Sequence, residues 1–251
     1  MSFSGRVYAI TGGASGIGLA TAKLLASRDA TICIADLNVA SLSSASQFFA
    51  STNAAFSARQ VDVSNRREVD SWIVSIIDQF GRLDGAANIA GVIGENHSTG
   101  TIADLEDDEW DRIIGVNLTG CMYCLRAELR VIADGGSIVN MASIHGTNAM
   151  AKHAAYGASK HGVVGLTKAA AKENGHREVR VNAVAPGAIY TPMMEKAWEQ
   201  IGRPKNAPFS EPTAFQRQGK PEEIATVVVF LLSPESSFVS GSVYSADGAW
   251  L

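Results

Sequence analysis

Two residues whose types and spacing could do chemistry are Tyr156 and Lys160, four positions apart in a stretch with helical periodicity. Residues at i and i+4 of a helix share a face, so the phenol and the ammonium would be neighbours. A nearby cation favours the phenolate and lowers a tyrosine pKa from about 10 toward the working range. The pair is therefore suited to proton transfer, although the spacing also arises by chance and needs support from other residues.

A glycine-rich segment, Thr11–Gly18, follows the strand-like run Val7–Ile10 and precedes a helical pattern. Glycine lets the backbone turn tightly and approach a pyrophosphate, and the helix N-terminus then offers free N–H groups to the phosphates. No Gly-Lys-Ser/Thr follows the glycines, which argues against a P-loop nucleotide hydrolase. The segment predicts a dinucleotide phosphate site; a glycine-rich turn without a ligand is the alternative.

An acidic residue, Asp36, ends the second predicted strand, 18 residues after Gly18. A carboxylate there can accept hydrogen bonds from both adenosine ribose hydroxyls, and it would repel a 2′-phosphate. Neither Ser15 in the loop nor Leu37 beside the aspartate is basic, so nothing there would hold that phosphate. The pattern favours NAD over NADP, with a helix N-cap as the alternative role of Asp36.

Short apolar runs alternate with longer stretches of helical period, which indicates βαβ units and a parallel sheet. We predict a single-domain α/β Rossmann fold over residues 1–251, a doubly wound seven-stranded parallel sheet with helices on both faces. The predicted strands are Val7–Ile10, Thr31–Ala35, Ala55–Val61, Gly85–Asn88, Ser137–Met141, Val179–Val184 and Ser242–Ser245. The predicted helices are Gly16–Arg28, Val39–Ser51, Arg66–Phe80, Glu106–Ile114, Thr119–Ile132, Ala154–Asn174 and Pro221–Leu232.

One segment, about residues 190–218, fits neither pattern. It contains three prolines, Pro204, Pro208 and Pro212, and lies between the sixth strand and the last helix. Long loops in compact domains are usually functional lids or disordered. We interpret it as an insertion that serves the substrate.

The composition excludes several classes of protein. Apolar residues make up 46% and charged residues 18% of the 251 residues, which is unlike a disordered chain. The formal net charge of −4 argues against nucleic acid or an anionic membrane as the main partner. The sequence shows no signal-peptide pattern and no apolar run long enough for a membrane span. We therefore expect a soluble, cytoplasmic protein.

The cysteines and histidines give no sign of a disulfide framework or a metal site. Cys121 and Cys124 have a C-x-x-C spacing, but they lie in an apolar helical stretch and are interpreted as core positions rather than a redox pair. His145 and His153 lack the spacing of helical zinc ligands, and no second cysteine pair accompanies the first.

From Arg6 to Asp247 the sequence resembles the short-chain dehydrogenase/reductase family, and the overall likeness is to dehydrogenases of fungal natural-product pathways. The order and spacing of the matching pieces carry the resemblance. They are Thr11–Gly18, Asp36, Asp62-Val63, Asn88–Gly91, Asn117, Ser143, Tyr156 with Lys160, Pro186-Gly187 and Thr191. The main departure is Ile89, where the family often has a second asparagine.

The resemblance implies a catalytic role for four residues. Tyr156 would act as general acid/base, and Ser143 would hydrogen-bond the reacting oxygen. Lys160 would lower the pKa of Tyr156 and bind the nicotinamide ribose. Asn117 would hold a water that links Lys160 to solvent. Hydride would pass between the substrate carbon and NAD, the implied cofactor.

The same resemblance implies which residues contact NAD. They run from the phosphate turn, through the ends of the second, third and fourth strands, to the loop after the sixth strand. They are Gly12, Ser15, Gly16, Ile17, Gly18, Asp36, Leu37, Asp62, Val63, Asn88, Ala90, Gly91, Tyr156, Lys160, Pro186, Gly187, Ile189 and Thr191.

Loops at the carboxyl ends of the strands should hold the substrate. Methionines and aromatics in them favour a bulky, apolar secondary alcohol or ketone, with His145 as the polar contact. The candidate substrate residues are His145, Met150, Tyr190, Met193, Met194 and Trp198. His97 and His153 lie in the same loops.

Two features bear on assembly and on other functions. Ala154–Asn174 is rich in small residues, and family members commonly form homotetramers through this helix and the preceding one; a homodimer is the alternative. The terminal Trp250-Leu251 is expected to pack on a neighbouring subunit. The alternatives in function are a 3-oxoacyl thioester reductase, an enzyme of non-redox chemistry on the same fold, and an NAD-binding regulator.

Overall fold

The computed structural model describes residues 2–204 and 207–251, and within these ranges seven parallel strands form one sheet. The sheet order is β3-β2-β1-β4-β5-β6-β7. The strands are β1 Val7–Thr11, β2 Thr31–Asp36, β3 Phe56–Gln60, β4 Gly85–Asn88, β5 Ser137–Met141, β6 Arg180–Pro186 and β7 Val243–Ala246. This confirms the predicted doubly wound Rossmann fold.

Eight α-helices lie in the described part of the chain. They are α1 Gly16–Ala26, α2 Val39–Ser51, α3 Arg66–Phe80, α4 Asp107–Ile114, α5 Cys121–Leu129, α6 Ala154–Glu173, α7 Pro192–Gln200 and α8 Pro221–Leu232. A π-helical turn, Gly115–Gly120, joins α4 to α5, so the two helices that the sequence predicted separately form one continuous helix. None of the described helices combines the length and apolarity needed to cross a membrane.

The strands alternate their side chains between two apolar layers. Tyr8 and Ile10 of β1 face the layer that contains α1, α2 and α8, whereas Val7 and Ala9 face the layer with α3, α5 and α6. Both faces of the sheet are thus covered, as a parallel sheet requires. Cys33 and Cys124 lie in the second layer and Cys121 in a smaller cluster, all as free thiols, which agrees with core positions.

The predicted insertion at residues 190–218 is more regular than expected, because it begins with helix α7. Thr191 caps this helix by accepting a hydrogen bond from the N–H of Met194 at 3.2 Å, and Pro192 occupies the first turn. This is a standard helix start. The prediction of a loop was wrong here, because it gave more weight to the later prolines than to the helix start at Thr191 and Pro192.

The sheet order places the ligand-binding edge. The chain leaves β3 at one edge and returns to β4 on the other side of β1. In such a sheet the loops on either side of this switch point diverge, which leaves a crevice at the carboxyl ends of the strands. The loops after β1, β4, β5 and β6 all reach this edge.

Candidate active site

A cavity of about 620 Å³ occupies the crevice, with Asp36 at one end and Tyr156 toward the other. Its size falls within the range of small-molecule sites. The structure brings most predicted cofactor residues into its wall. They are Gly12, Ser15, Gly16, Ile17, Gly18, Asp36, Leu37, Asp62, Val63, Ala90, Gly91, Tyr156, Lys160, Pro186, Gly187, Ile189 and Thr191.

The glycine turn presents an open helix terminus to this cavity. Gly12 and Gly16 have φ values of +64° and +48°, which L side chains rarely adopt. Ser15 stands at the N-cap of α1, yet its side chain makes no capping hydrogen bond. The first N–H groups of α1 are thus left for a ligand, and the dipole of the helix favours an anion there. This arrangement fits a pyrophosphate.

Gly18 packs so tightly that a methyl group cannot be added. A Cβ at this position would lie 2.0 Å from the carbonyl oxygen of Gly12. We therefore expect Gly18→Ala to lower the free energy of unfolding by about 3 kcal/mol, through displacement of the turn. Chemical denaturation measures this loss. Gly115→Ala is the matched control, because nothing lies within 4 Å of its added Cβ. Equal stability of the two variants would contradict the prediction.

Asp36 is held at the end of β2 with both carboxylate oxygens engaged by the backbone. Oδ2 accepts a hydrogen bond from the N–H of Ala14 at 3.1 Å, and Oδ1 accepts one from the N–H of Asn38 at 3.0 Å. The carboxylate still lines the cavity, and its remaining lone pairs can accept from two hydroxyls. Among the described residues that line the cavity, two are Lys or Arg: Lys160 in α6, and Arg203, which pairs with Glu211.

The loop after β4 is held from two sides. The hydroxyl oxygen of Thr11 accepts hydrogen bonds from the N–H groups of Ile89 and Ala90, at 3.1 and 3.2 Å. Asn88, a predicted cofactor contact, lies outside the cavity wall, and its amide donates to Glu128 and Asn140 below the site. Its side chain supports the strand end rather than facing the cavity.

Asn117 lies in the π-helical turn rather than in an α-helix. Its Oδ1 accepts from the N–H of Val92 at 2.8 Å, while its Nδ2 donates to the carbonyl of Val92 at 2.9 Å and to Ser159 at 3.2 Å. The side chain thus has no free donor and clamps the loop after β4. Its Oδ1 keeps a second lone pair and its main-chain groups lie in the turn, so the water that Asn117 is expected to hold stays a prediction.

Tyr156 and Lys160 lie on one face of α6, with Ser143 at the end of β5 opposite them. The Nζ atom of Lys160 donates to the carbonyl of Met141 at 2.8 Å and lies 5.5 Å from the centre of the Tyr156 ring. Burial raises the pKa of Tyr156 to about 12, and the hydrogen bond with Ser143 opposes that rise. Without a ligand, burial therefore outweighs the effect that was expected of Lys160, and the phenol is neutral at physiological pH.

Burial also lowers the pKa of Lys160 to about 8, whereas an unfolded lysine titrates near 10.4. Below pH 8 the folded protein carries a destabilising cation at Lys160, and that penalty disappears as the pH rises from about 8 toward 10.4.

We expect Lys160→Met to raise the free energy of unfolding by about 1–3 kcal/mol at pH 7. The gain should shrink at pH 9.5, and activity should be lost. Denaturation at both pH values tests this, with the exposed Lys172→Met as control; a gain that does not change with pH would contradict it.

The loop after β6 closes the cavity against the glycine turn. Thr191 packs beside Gly16, and a Cβ on Gly16 would be in van der Waals contact with the Thr191 methyl carbon at 3.4 Å. A Cβ on Gly187 would lie 2.8 Å from the Cα of Asp247, so Gly187 leaves no room for a side chain. The two segments therefore position each other around the middle of the cavity.

The predicted substrate residues divide into two groups. His145, Met193, Met194 and Trp198 line the end of the cavity beyond Tyr156. Met150 and Tyr190 lie outside its wall, and the Tyr190 hydroxyl donates to Glu195 at 2.6 Å. Their prediction as substrate contacts is not supported, because a loop position does not show which way a side chain turns.

The sequence interpretation missed several residues of this wall. Arg203 pairs with Glu211 at 3.1 Å and stacks over Trp198, with its guanidinium carbon 4.7 Å from the ring centre. Trp250 also lines the cavity, and its strand-like segment pairs with Thr213 of the same chain. Trp250 is thus half-buried within its own chain and the Leu251 side chain is exposed, so packing of this terminus on another subunit stays a prediction.

Comparisons with known proteins agree with this geometry. A family model described as "Enoyl-(Acyl carrier protein) reductase" matches residues 12–250. The short-chain dehydrogenase/reductase ABA4 of Pyricularia oryzae is 62% identical, with 100% of this chain and 94% of that protein covered. Cyclohexanol dehydrogenase of Acinetobacter sp. is 38% identical over 99% of this chain and 96% of that protein.

A solved structure extends the comparison to the fold. The crystal structure of levodione reductase has a TM-score of 0.91 and 35% identity, and the match covers 98% of this chain and 97% of that one. The expected likeness to the family and to a fungal enzyme is thus confirmed. The chain belongs to the short-chain dehydrogenase/reductase family, whose members are oxidoreductases that use nicotinamide cofactors on small molecules.

Proposed function

We propose that this enzyme is an NAD-dependent oxidoreductase that interconverts a bulky, apolar secondary alcohol and the corresponding ketone. One observation carries the proposal: Ser143, Tyr156 and Lys160 open onto the same cavity as Asp36 and the α1 terminus. When bound, NAD supplies the hydride acceptor. The chain's own residues then need only bind, orient and move a proton.

The proton path follows from the hydrogen bonds at the site. Ser143 lies near enough to the Tyr156 phenol to oppose the rise in its pKa, and both side chains line the cavity, so both groups can contact one substrate oxygen. Tyr156 takes the proton from the alcohol in one direction and returns it to the ketone in the other. The Lys160 ammonium, held by the Met141 carbonyl beneath the ring, stabilises the phenolate as it forms. The apolar wall keeps bulk water from the reacting oxygen.

The preference for NAD rests on charge at the far end of the cavity. Asp36 would accept hydrogen bonds from the ribose hydroxyls, and its negative charge would repel a 2′-phosphate. Among the described residues lining that end, none is Lys or Arg, and Leu37 is exposed beside the carboxylate. These features support NAD rather than NADP.

A 3-oxoacyl thioester reductase is the second candidate, because the matching family model is described by another reductase of acyl thioesters, enoyl-(acyl carrier protein) reductase. The apolar wall of Met193, Met194 and Trp198 supports the alcohol dehydrogenase instead. So does the similarity to a relative named for cyclohexanol, a cyclic secondary alcohol. The similarity to the Pyricularia oryzae enzyme supports placing the reaction in a fungal natural-product pathway.

The test is calorimetric titration with NAD and NADP, followed by a panel of cyclic secondary alcohols monitored by absorbance of the reduced nicotinamide. The proposal expects NAD to bind tightly and at least one alcohol to be oxidised. Preference for NADP, with reduction of a 3-oxoacyl thioester, would support the second candidate. Cofactor binding without turnover of any alcohol or thioester would indicate non-redox chemistry or a regulator.

We also propose that the enzyme is a homotetramer assembled in part through α6. Ala158, Gly165 and Ala169 are exposed small residues of this helix, and a Cβ on Gly165 would meet nothing within 4 Å. We expect light scattering to give the mass of a tetramer. Gly165→Glu should reduce that mass without unfolding the subunit, because the isolated chain has room for the side chain. A monomeric wild-type protein would contradict this.

A further inference from the structure

The substrate end of the cavity contains three histidines from two loops, gathered around the catalytic tyrosine. The ring centres of His97 and His145 each lie 5.4 Å from that of Tyr156, and both rings meet it edge-on. His153 lies between them, at 4.4 Å from His97 and 4.6 Å from His145. Among the described residues, no three or more side chains are placed to bind a metal ion. We therefore consider a role of these rings in binding the substrate.

The three imidazoles are not equivalent in their hydrogen bonds. The Nδ1 atom of His153 lies 2.6 Å from the carbonyl oxygen of Ala151, so it must carry the proton. Its Nε2 then accepts from the Ser98 hydroxyl at 2.9 Å. Both nitrogens of His153 are therefore satisfied within the protein. These hydrogen bonds hold the His153 ring in place, and the rings of His97 and His145 pack against it.

His97 and His145 differ, because within the described residues no hydrogen bond to either ring is formed. The Nδ1 atom of His145 is buried without a partner. Burial lowers the pKa of His145 to about 3 and that of His97 to about 4, so both rings are neutral at physiological pH. A neutral imidazole offers one N–H donor and one acceptor. Unpaired polar groups that are buried at the wall of a cavity are costly unless a ligand engages them.

Building on the proposed function, we propose that the substrate carries a second oxygen, a hydroxyl or ketone within one six-membered ring of the reacting carbon, and that His97 and His145 bind it. The short distance follows because both rings contact the tyrosine that holds the first oxygen. A neutral oxygen fits better than a carboxylate. The cavity-lining Arg203 is already paired with Glu211 at 3.1 Å, and both imidazoles are uncharged.

The test compares alcohols that differ in the second oxygen alone. The three positional isomers of cyclohexanediol are assayed against methylcyclohexanol, which has similar size, and against a hydroxycyclohexanecarboxylate. We expect kcat/KM for one diol to exceed that for methylcyclohexanol by about tenfold or more, since the site's polar groups stay unpaired with the apolar alcohol.

Variants assign this preference to the two rings. His97→Phe and His145→Phe should bring the ratio of diol to methylcyclohexanol close to one, whatever their effect on the absolute rates. His145→Asn keeps a polar group and should restore part of the ratio. His176→Phe, an exposed position outside the cavity, should keep the wild-type ratio.

The outcomes separate this inference from the function on which it rests. Oxidation of the alcohols without preference for any diol would contradict the inference of a second oxygen and leave the proposed function intact. So would a preference that survives both phenylalanine variants, or a carboxylate as the best substrate. No oxidation of any alcohol with NAD or NADP would contradict the proposed function itself, and the inference with it.

Discussion

Tyr156→Phe is expected to lower kcat by about 10³-fold, because it removes the group that exchanges a proton with the substrate oxygen. The ring itself should stay in place. Its edge-on contacts with His97 and His145 do not involve the hydroxyl, and α6 is otherwise unchanged. Binding of NAD should therefore remain within about threefold of the wild-type value, which separates loss of chemistry from loss of the site.

The measurement combines steady-state kinetics, calorimetry with NAD and thermal unfolding. Tyr244→Phe is the matched control, since this tyrosine lies in β7 outside the cavity wall, and it should retain wild-type kcat. If Tyr156→Phe kept a tenth or more of the wild-type kcat, the phenol would not be the acid and base. The hydroxyl of Ser143 would then be the next candidate.

Much of the fold was accessible from the sequence because its signals are local. Apolar runs such as Ile32–Ala35 alternate with helical periods, and the glycines of Thr11–Gly18 are needed wherever that turn forms. Helix α7 was missed although Thr191 and Pro192 begin it properly. Prolines further along the segment supported a loop, and a short helix has little periodicity to oppose them.

The protonation state of Tyr156 beside Lys160 could not be predicted from their spacing in the sequence. Four residues of separation correctly place Lys160 near Tyr156, but the pKa of the phenol also depends on how much water reaches it. That depends on residues brought together by the fold, including Ser143 and the wall formed by His97 and His145. The sequence therefore predicts which groups meet, while burial sets the direction of the shift.

The cluster of His97, His145 and His153 could not be predicted from the sequence either, because it forms only in the folded chain. His97 follows β4, whereas His145 and His153 lie on either side of the turn between β5 and α6. No spacing rule joins them, because they meet only through the parallel order of β4 and β5 in the sheet. The role of Asn117 was likewise hidden, since its partner Val92 is 25 residues away.

The second large effect is expected at Asp36. In the wild-type enzyme, kcat/KM with NAD should exceed that with NADP by about 10²-fold or more, because hydrogen bonds from the ribose hydroxyls to Asp36 would be replaced by repulsion between two anions. Asp36→Ser with Leu37→Arg removes the negative charge and supplies a guanidinium for the 2′-phosphate. We expect this double variant to reverse the preference, with a change in the NAD/NADP ratio of about 10³-fold.

Asp36 also supports the glycine turn, so the substitution must keep an acceptor. Its carboxylate accepts from the N–H groups of Ala14 and Asn38, and Asp36→Asn retains one such oxygen while losing the charge. Asp36→Asn should thus move the ratio partway with little loss of stability. Asp62→Asn is the control, because this carboxylate also lines the cavity but would face the adenine rather than the ribose. A wild-type enzyme that used both cofactors equally, or a ratio that Asp62→Asn changed as much as Asp36→Asn, would show that Asp36 does not select the cofactor.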